Sequence, residues 1–432
     1  MNSLTQTDFH VPRFGASHYD SPVLIDNYTA EEARFLYNID FDSNQNDLNK
    51  YSPLTIERSG PRKKIFFNPV TTRAGIITCG GLCPGLNNVI RALTVELVYQ
   101  YKIKSVIGYR YGYLGLADPA IGSIDLTPEV VNGISDKGGT ILGSSRGPQN
   151  IDRMVQRLIA DKIDILFIIG GDGALKGAEA IFENITKRDL PISIIGIPKS
   201  IDNDLNFISK TFGFETAYSK AVEAIKAVHI ESLGAPNGIG LVKVMGRHSG
   251  AIACHATISS NEVNFCLIPE LSIDLYGKGG FLEALETRLK NKDHAVVVVA
   301  EGAFQEIINK VPQKDPSGNI KLADSGTWLK NEIINYFSKK NIEINLKYID
   351  PSYLIRAIPA SPDDSLFCTI LSQYAVHTGM SGRTGVVIGQ WNHLFANLPI
   401  KLVIKERKVV NLKGSIWRAV IESTGQNLKQ YL

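Results

Sequence analysis

The sequence predicts an α/β chain of two domains, each built on a parallel sheet, and three observations carry that prediction. Short apolar runs end in glycine-rich turns that lead into helical spacing, as where Ile165–Ile169 runs into GGDGALKGA. The pattern repeats, and from Asp172 to PKSIDND the interval is the ~30 residues of one strand–helix–strand step. The 432 residues, 44% of them hydrophobic, are enough for two such domains and their cores.

Composition excludes several classes. A formal charge of +3 is small for this length and gives no nucleic-acid-binding surface. No apolar run approaches the ~18 residues of a membrane span. The opening MNSLTQTDFHVPRFG has neither the basic nor the apolar region of a signal peptide. Five cysteines without a CxxC pair argue against a disulfide framework or a zinc site. A cytoplasmic protein with no membrane or nucleic-acid partner is expected.

Residues 1–70 show no clear period, with scattered prolines and polar clusters such as SNQNDLNKYS, and read as an irregular extension on the domain surface. Ala74–Thr78 reads as a strand, Cys79–Asn87 as a Gly/Pro loop and Asn88–Tyr101 as a helix. A strand at Ser105–Tyr109 precedes the turn-rich YGYLGLADP, and GGTILGSSRGP leads to a helix over Ile151–Asp161. Next come the strand Ile165–Ile169, a helix from Ala174 to about Lys187, and the strand Ile192–Ile197, which ends in PKSIDND. Repeated units of this kind give a parallel sheet with right-handed crossovers. Its ligands gather at the C-terminal strand ends. Three glycine-bearing exits, Gly80–Gly85, Gly143–Gly147 and Gly170–Gly173, suggest one shared phosphate site there. Beyond a boundary near Phe212 the style repeats. A helix spans Thr216–Glu231, Asn237–Gly250 is a strand leaving into a helix, and Ala295–Ala300 is a β-rich run ending at Glu301. Gly277–Gly280 and Pro312–Ser325 read as loops. The expected architecture is two Rossmann-like parallel-sheet domains facing a cleft, with an irregular N-terminal extension.

The chemistry is concentrated at these exits. Free N–H groups at the start of the Ala174 helix favour phosphate. Asp172, the only acid of its turn, sits where it can hold magnesium on that phosphate; the same residues also suit a tight turn with a capping Asp. In PKSIDND, Asp202 and Asp204 lie two apart, and a carboxylate opposite a phosphate site suits removal of a proton from an attacking alcohol. Asp and Asn are equally at home in an ordinary turn. Arg247 in MGRHSG, and Tyr353 and Arg356 in YIDPSYLIR, follow strands where an arginine can fork onto a sugar phosphate or form a surface ion pair.

Taken together, GGLCPGLN, YGYLGL, GGTILGSSRGP, GGDGALKGA, PKSIDNDL, GFETA, NGIGLVKVMGR, AEGAFQ and YIDPSYLIR resemble the phosphofructokinase family in order and spacing, from about Ala74 to Leu412. The resemblance implies transfer of a phosphoryl group from ATP to the 1-hydroxyl of fructose 6-phosphate, magnesium, and a homodimer or homotetramer. It implies a domain at 71–212, rejoined by about 357–410, for nucleotide and metal. It implies a second at 213–356, completed by about 411–432, for the sugar phosphate. By position, Asp202 resembles the family's base, Asp172 its magnesium ligand, and Ser200 a residue beside the transferred phosphate. Gly80, Gly81, Arg146, Gly147, Gly171, Gly173, Ala174 and Gly177 match the nucleotide cradle, with Arg146 suited to stabilising the moving charge. Ile201, Met245, Gly246, Arg247, Glu301, Tyr353 and Arg356 join Ser200 and Asp202 as sugar contacts.

The chain departs from common bacterial members at Lys199, where they have Gly, at Gly238, where they have an Arg, and at Tyr353, where they have His. It resembles instead the branch of plant and trypanosomal ATP enzymes, which also holds many pyrophosphate enzymes. Gly173 and Lys199 are therefore the donor-specificity positions, and a pyrophosphate donor is the alternative. A non-catalytic nucleotide-sensing subunit is the other, opposed by the intact Asp172, Ser200, Asp202 and Arg247.

Overall fold

The computed structural model describes residues 4–39, 53–309, 313 and 320–426. Ser43–Ser52 and half of Pro312–Ser325 lie outside them. The chain divides into two compact units. The first takes residues up to Ser200, Leu205–Gly213 and Pro359–Arg407; the second takes Ile201–Asp204, Phe214–Ile358 and the residues from Lys408.

The first unit is organised by a nine-stranded sheet in the order Arg34–Leu36, Thr55–Arg58, Leu394–Pro399, Val386–Trp391, Ser193–Pro198, Ile165–Gly170, Arg73–Thr78, Ser105–Tyr109 and Ser123–Asp125. The five strands from Val386–Trp391 to Ser105–Tyr109 are mutually parallel. Both central runs, Ile165–Gly170 and Ser193–Pro198, are buried along their whole length, so isoleucines on both faces meet helices and none meets water. Register places Gly170 opposite Pro198 and Thr78 opposite Ile169, which sets three strand exits side by side.

Several expectations are corrected. The sheet is mixed: antiparallel strands close both edges, and the Val386–Trp391/Leu394–Pro399 hairpin was not expected. The N-terminal extension is not confined to the surface. Its Arg34–Leu36 and Thr55–Arg58 strands extend this sheet, and Phe9, Ile56 and Ile65 are fully buried. The stretch YGYLGLADP contains a short helix, Tyr113–Ala117, and the first long helix gives way to a π-helical turn at Glu96–Gln100.

The second unit carries a four-stranded parallel sheet in the order Phe265–Leu267, His294–Ala300, Gly238–Val244 and Asn345–Ile349. Helices Phe214–Leu233, Ala251–Ser260, Phe281–Lys292 and Ser325–Lys339 pack on it. Gly238 is fixed by space, since a Cβ there would lie 1.9 Å from the Ser232 carbonyl oxygen. Among the described residues no helix is long and apolar enough to cross a membrane.

Candidate active site

In the first unit the glycine-rich loops are stitched to one another. The Gly80 N–H donates to the Ser145 carbonyl at 3.1 Å, and the Ser144 hydroxyl donates back to the Gly80 carbonyl at 2.6 Å. Thr78 Oγ1 donates to the Gly143 carbonyl at 2.6 Å. These bonds set the Gly143–Gly147 loop, with exposed Arg146, on the end of the Arg73–Thr78 strand. Gly80 has φ +87 and Gly147 φ +98, a region that favours glycine. The Lys199 N–H donates to the Gly170 carbonyl at 3.0 Å and its ammonium to the Gly81 carbonyl at 2.8 Å. A Cβ on Gly171 would lie 3.1 Å from the Lys199 carbonyl oxygen, so the fourth segment closes tightly on the third.

The helix begins at Asp172, two residues earlier than expected, which puts Gly173 and Ala174 in its first turn. Nothing lies within 4 Å of the Cβ position of Gly173, so a side chain there would enter open space. At Gly177, expected in the cradle, a Cβ would approach the Tyr113 ring to 2.7 Å. The Tyr113 hydroxyl donates to the Ala174 carbonyl at 2.6 Å, which holds the ring over this turn of the helix. Ser200 is buried, and its carbonyl accepts from Thr211 Oγ1 at 2.5 Å.

Asp172 Oδ2 is 3.0 Å from Lys176 Nζ and 3.0 Å from Arg407 Nη2. Sequence reasoning missed Arg407, which belongs to no motif; its only trace is the charged run KERK at Lys405–Lys408.

In the second unit the acid–base groups converge. Asp202 is partly buried, and its Oδ1 is a buried atom with no hydrogen-bond partner. Burial, then the carboxylates of Asp204 and Glu301, push its carboxyl up to about 8; the Arg247 backbone N–H and the Arg356 charge oppose this. Burial also raises Glu301, against the charges of Arg247, Lys243 and Arg356. Lys243 is itself paired with Asp350 at 2.6 Å. Met245 is buried, and Gly246, at φ +127, accepts from the Gly302 N–H at 3.0 Å, tying the two neighbouring strand ends together. The Arg247 guanidinium donates to the Ile320 carbonyl. Ile201 packs against the apolar core of this unit.

Arg356 lies in the last turn of the Ser352–Ala357 helix, with a buried Nε that has no partner. Tyr353 stands one turn earlier and is 84% exposed. An orphaned carboxylate oxygen and an orphaned guanidinium nitrogen in one buried cluster are costly unless a ligand supplies the missing bonds. Lys408, also missed, pairs its backbone N–H with the Asp204 carbonyl at 3.0 Å. Burial pulls its ammonium down to about 8 against the pull of Asp204.

A family model described as phosphofructokinase matches residues 73–378. An ATP-dependent 6-phosphofructokinase of Borreliella burgdorferi is 46% identical over 97% of this chain and 97% of its own. The ATP-dependent 6-phosphofructokinase of Trypanoplasma borreli is 42% identical over 98% of this chain and 88% of its own. For ATP-dependent 6-phosphofructokinase 7 of Arabidopsis thaliana the identity is 44%, over 85% of this chain and 76% of its own. Among solved structures, a pyrophosphate-dependent phosphofructokinase from Marinobacter aquaeolei matches with a TM-score of 0.67 at 19% identity, covering 83% of this chain and 93% of that one. At that identity the likeness concerns the fold.

Proposed function

The chain belongs to the phosphofructokinase family, and we propose that it transfers a phosphoryl group from ATP to the 1-hydroxyl of fructose 6-phosphate, giving fructose 1,6-bisphosphate and ADP. The observation that carries the reading is the buried, partnerless Oδ1 of Asp202 among Arg247, Glu301 and Arg356. A carboxylate so placed accepts the proton of the 1-hydroxyl as that oxygen attacks phosphorus. Arg247 and Arg356 hold the sugar phosphate, with Met245, Gly246, Glu301 and Tyr353 shaping its site and Ser200 and Ile201 leading into Asp202. Arg146 supplies a fork of donors to the charge that builds on the moving phosphoryl group. Gly80, Gly81, Gly147, Gly171, Gly173 and Ala174 leave backbone room for the polyphosphate.

The donor side suits magnesium. Among the described residues no group of three metal-ligating side chains exists, and the donor turn offers the single carboxylate of Asp172. Magnesium is commonly held in this way, with phosphate oxygens and water completing its shell. When bound, the ion neutralises charge on the phosphates. A homodimer or homotetramer in the cytoplasm belongs to the same proposal; the five cysteines, all buried and none in a disulfide, fit a reducing compartment.

ATP is favoured over pyrophosphate by the open space at Gly173, since excluding a group discriminates more strongly than adding one charge at Lys199. A coupled assay for fructose 1,6-bisphosphate with either donor tests this. The wild type is expected to prefer ATP. Gly173→Asp, whose Cβ meets no atom within 4 Å, is expected to cut the ATP rate more than about tenfold by repelling the α-phosphate in a poorly screened pocket. Faster turnover of the wild type with pyrophosphate would overturn the donor assignment and leave the sugar site intact.

A further inference from the structure

The one carboxylate of the donor turn is engaged by two cations that are held very differently. Lys176 lies one turn along the same helix, 57% exposed, in an ordinary i,i+4 pair with Asp172. Arg407 arrives from 235 residues further along the chain, and its backbone is fixed. It bridges Leu205 in antiparallel fashion, and the next residue, Lys408, donates to the Asp204 carbonyl. The KERK run is thereby laced to the stretch of chain that carries Asp202. Asp172 is 11% exposed while the Arg407 side chain is 36% exposed, so the guanidinium is the solvent-facing partner of the pair.

A mostly buried carboxylate without a counter-charge would repel an incoming polyphosphate. Once a divalent ion takes that carboxylate, a cation beside it is released. A guanidinium binds phosphate oxygens through a planar fork, which an ammonium does not offer. We propose that Arg407 is a donor-site residue that exchanges partners: it pairs with Asp172 in the empty protein and with a polyphosphate oxygen once magnesium–nucleotide binds. This rests on the reading of Asp172 as the metal ligand.

Calorimetric titration of the full chain with MgADP and, separately, with fructose 6-phosphate tests the exchange. Arg407→Ala is expected to weaken MgADP binding more than about tenfold, the loss of one charge-assisted bond, and to leave fructose 6-phosphate within about twofold. Arg407→Lys should recover part of the loss, and Lys176→Ala should stay within about twofold of wild type, as a surface pair would. On the unaltered protein, phenylglyoxal labelling of Arg407, read by mass spectrometry, should be blocked by MgADP and not by fructose 6-phosphate. That labelling decides the matter if Arg407→Ala does not fold. Equal loss of both ligands, an unchanged MgADP affinity, or labelling indifferent to MgADP overturns the proposal. Asp172→Asn separates the two failures. A loss there with none in Arg407→Ala removes the exchange alone; no loss in either removes the metal-ligand reading as well.

Discussion

At Asp202 two demands oppose each other, because burial and two neighbouring carboxylates that make it an effective proton acceptor also make its charge expensive. An unfolded Asp titrates near ~3.9, and the native carboxyl is pushed up to about 8. The native state therefore holds the proton more tightly. The stability this gives is full below the unfolded value and is lost as pH rises through about 8. Activity runs the other way, since in its proposed role Asp202 accepts a proton only when ionised, so kcat/KM should rise with pH over the same window. Asp202→Asn is expected to lower kcat by roughly 10²–10⁴ while raising the melting temperature more at pH 9 than at pH 6. A variant with near-normal turnover, or one less stable than wild type at pH 9, would show that Asp202 is a turn residue. The sequence made this residue legible because PKSIDND is continuous in the chain. Arg407 was not legible: its meaning comes from a backbone bridge to Leu205, and no local spacing encodes such a bridge. At Gly177 the close Tyr113 ring is a reason for glycine that the sequence does not display, because the two residues are 64 positions apart.

The elements missed in the sequence were hidden by two physical causes, and the first is that side-chain partners override the local pattern. Thr55–Arg58 is four residues long and carries Glu57 inward, so it lacks the apolar alternation of a half-buried strand. Glu57 is buried because Oε1 accepts from Arg383 Nε and from Asn397 Nδ2 at 2.7 Å, with Arg62 Nη2 at 3.8 Å. Both arginines are 1% exposed. The hairpin at Trp391–Leu394 was hidden for a different reason. Its two turn residues, Asn392 and His393, have φ +46 and +64, the sign that usually requires a glycine and so usually announces the turn. Removing one member of the ion network should cost far more than a surface pair, since Glu57 would keep a buried charge without its closest donor. Arg383→Ala is expected to destabilise the first unit by about 3–5 kcal/mol. Trp391 can report it, because its indole N–H donates to the Tyr37 carbonyl at 2.9 Å and its ring stacks on Tyr37 in the extension. With Trp328 and Trp417 changed to Phe, urea unfolding followed at Trp391 should shift by that amount. A loss below about 1 kcal/mol would rank the network with surface ion pairs.

Across the whole molecule, the strand–helix rhythm was readable because parallel strands are uniform apolar runs, whereas the route of the chain between units was not carried by periodicity. Ser200 and Asp202 are two positions apart yet belong to different units, and each unit has an apolar core of its own. The glycine-rich exits proposed to cradle the nucleotide lie in the first unit, and Asp202, Arg247, Glu301 and Arg356 lie in the second. A ligand stabilises only the folded state that binds it, by about 2.7 kcal/mol at a concentration one hundred times its dissociation constant. Amides that exchange through opening of the liganded unit should then slow by about 100-fold. Hydrogen exchange read by mass spectrometry should therefore separate the two substrates when each is added alone. MgADP should slow exchange in Cys79–Gly85 and Asp172–Lys187, and fructose 6-phosphate should slow it in Gly238–Arg247 and Ser352–Ala357. Equal slowing of both sets by either ligand would mean that donor and acceptor sites are not divided between the units in this way, and the roles assigned to Asp172 and Arg247 would have to be redrawn.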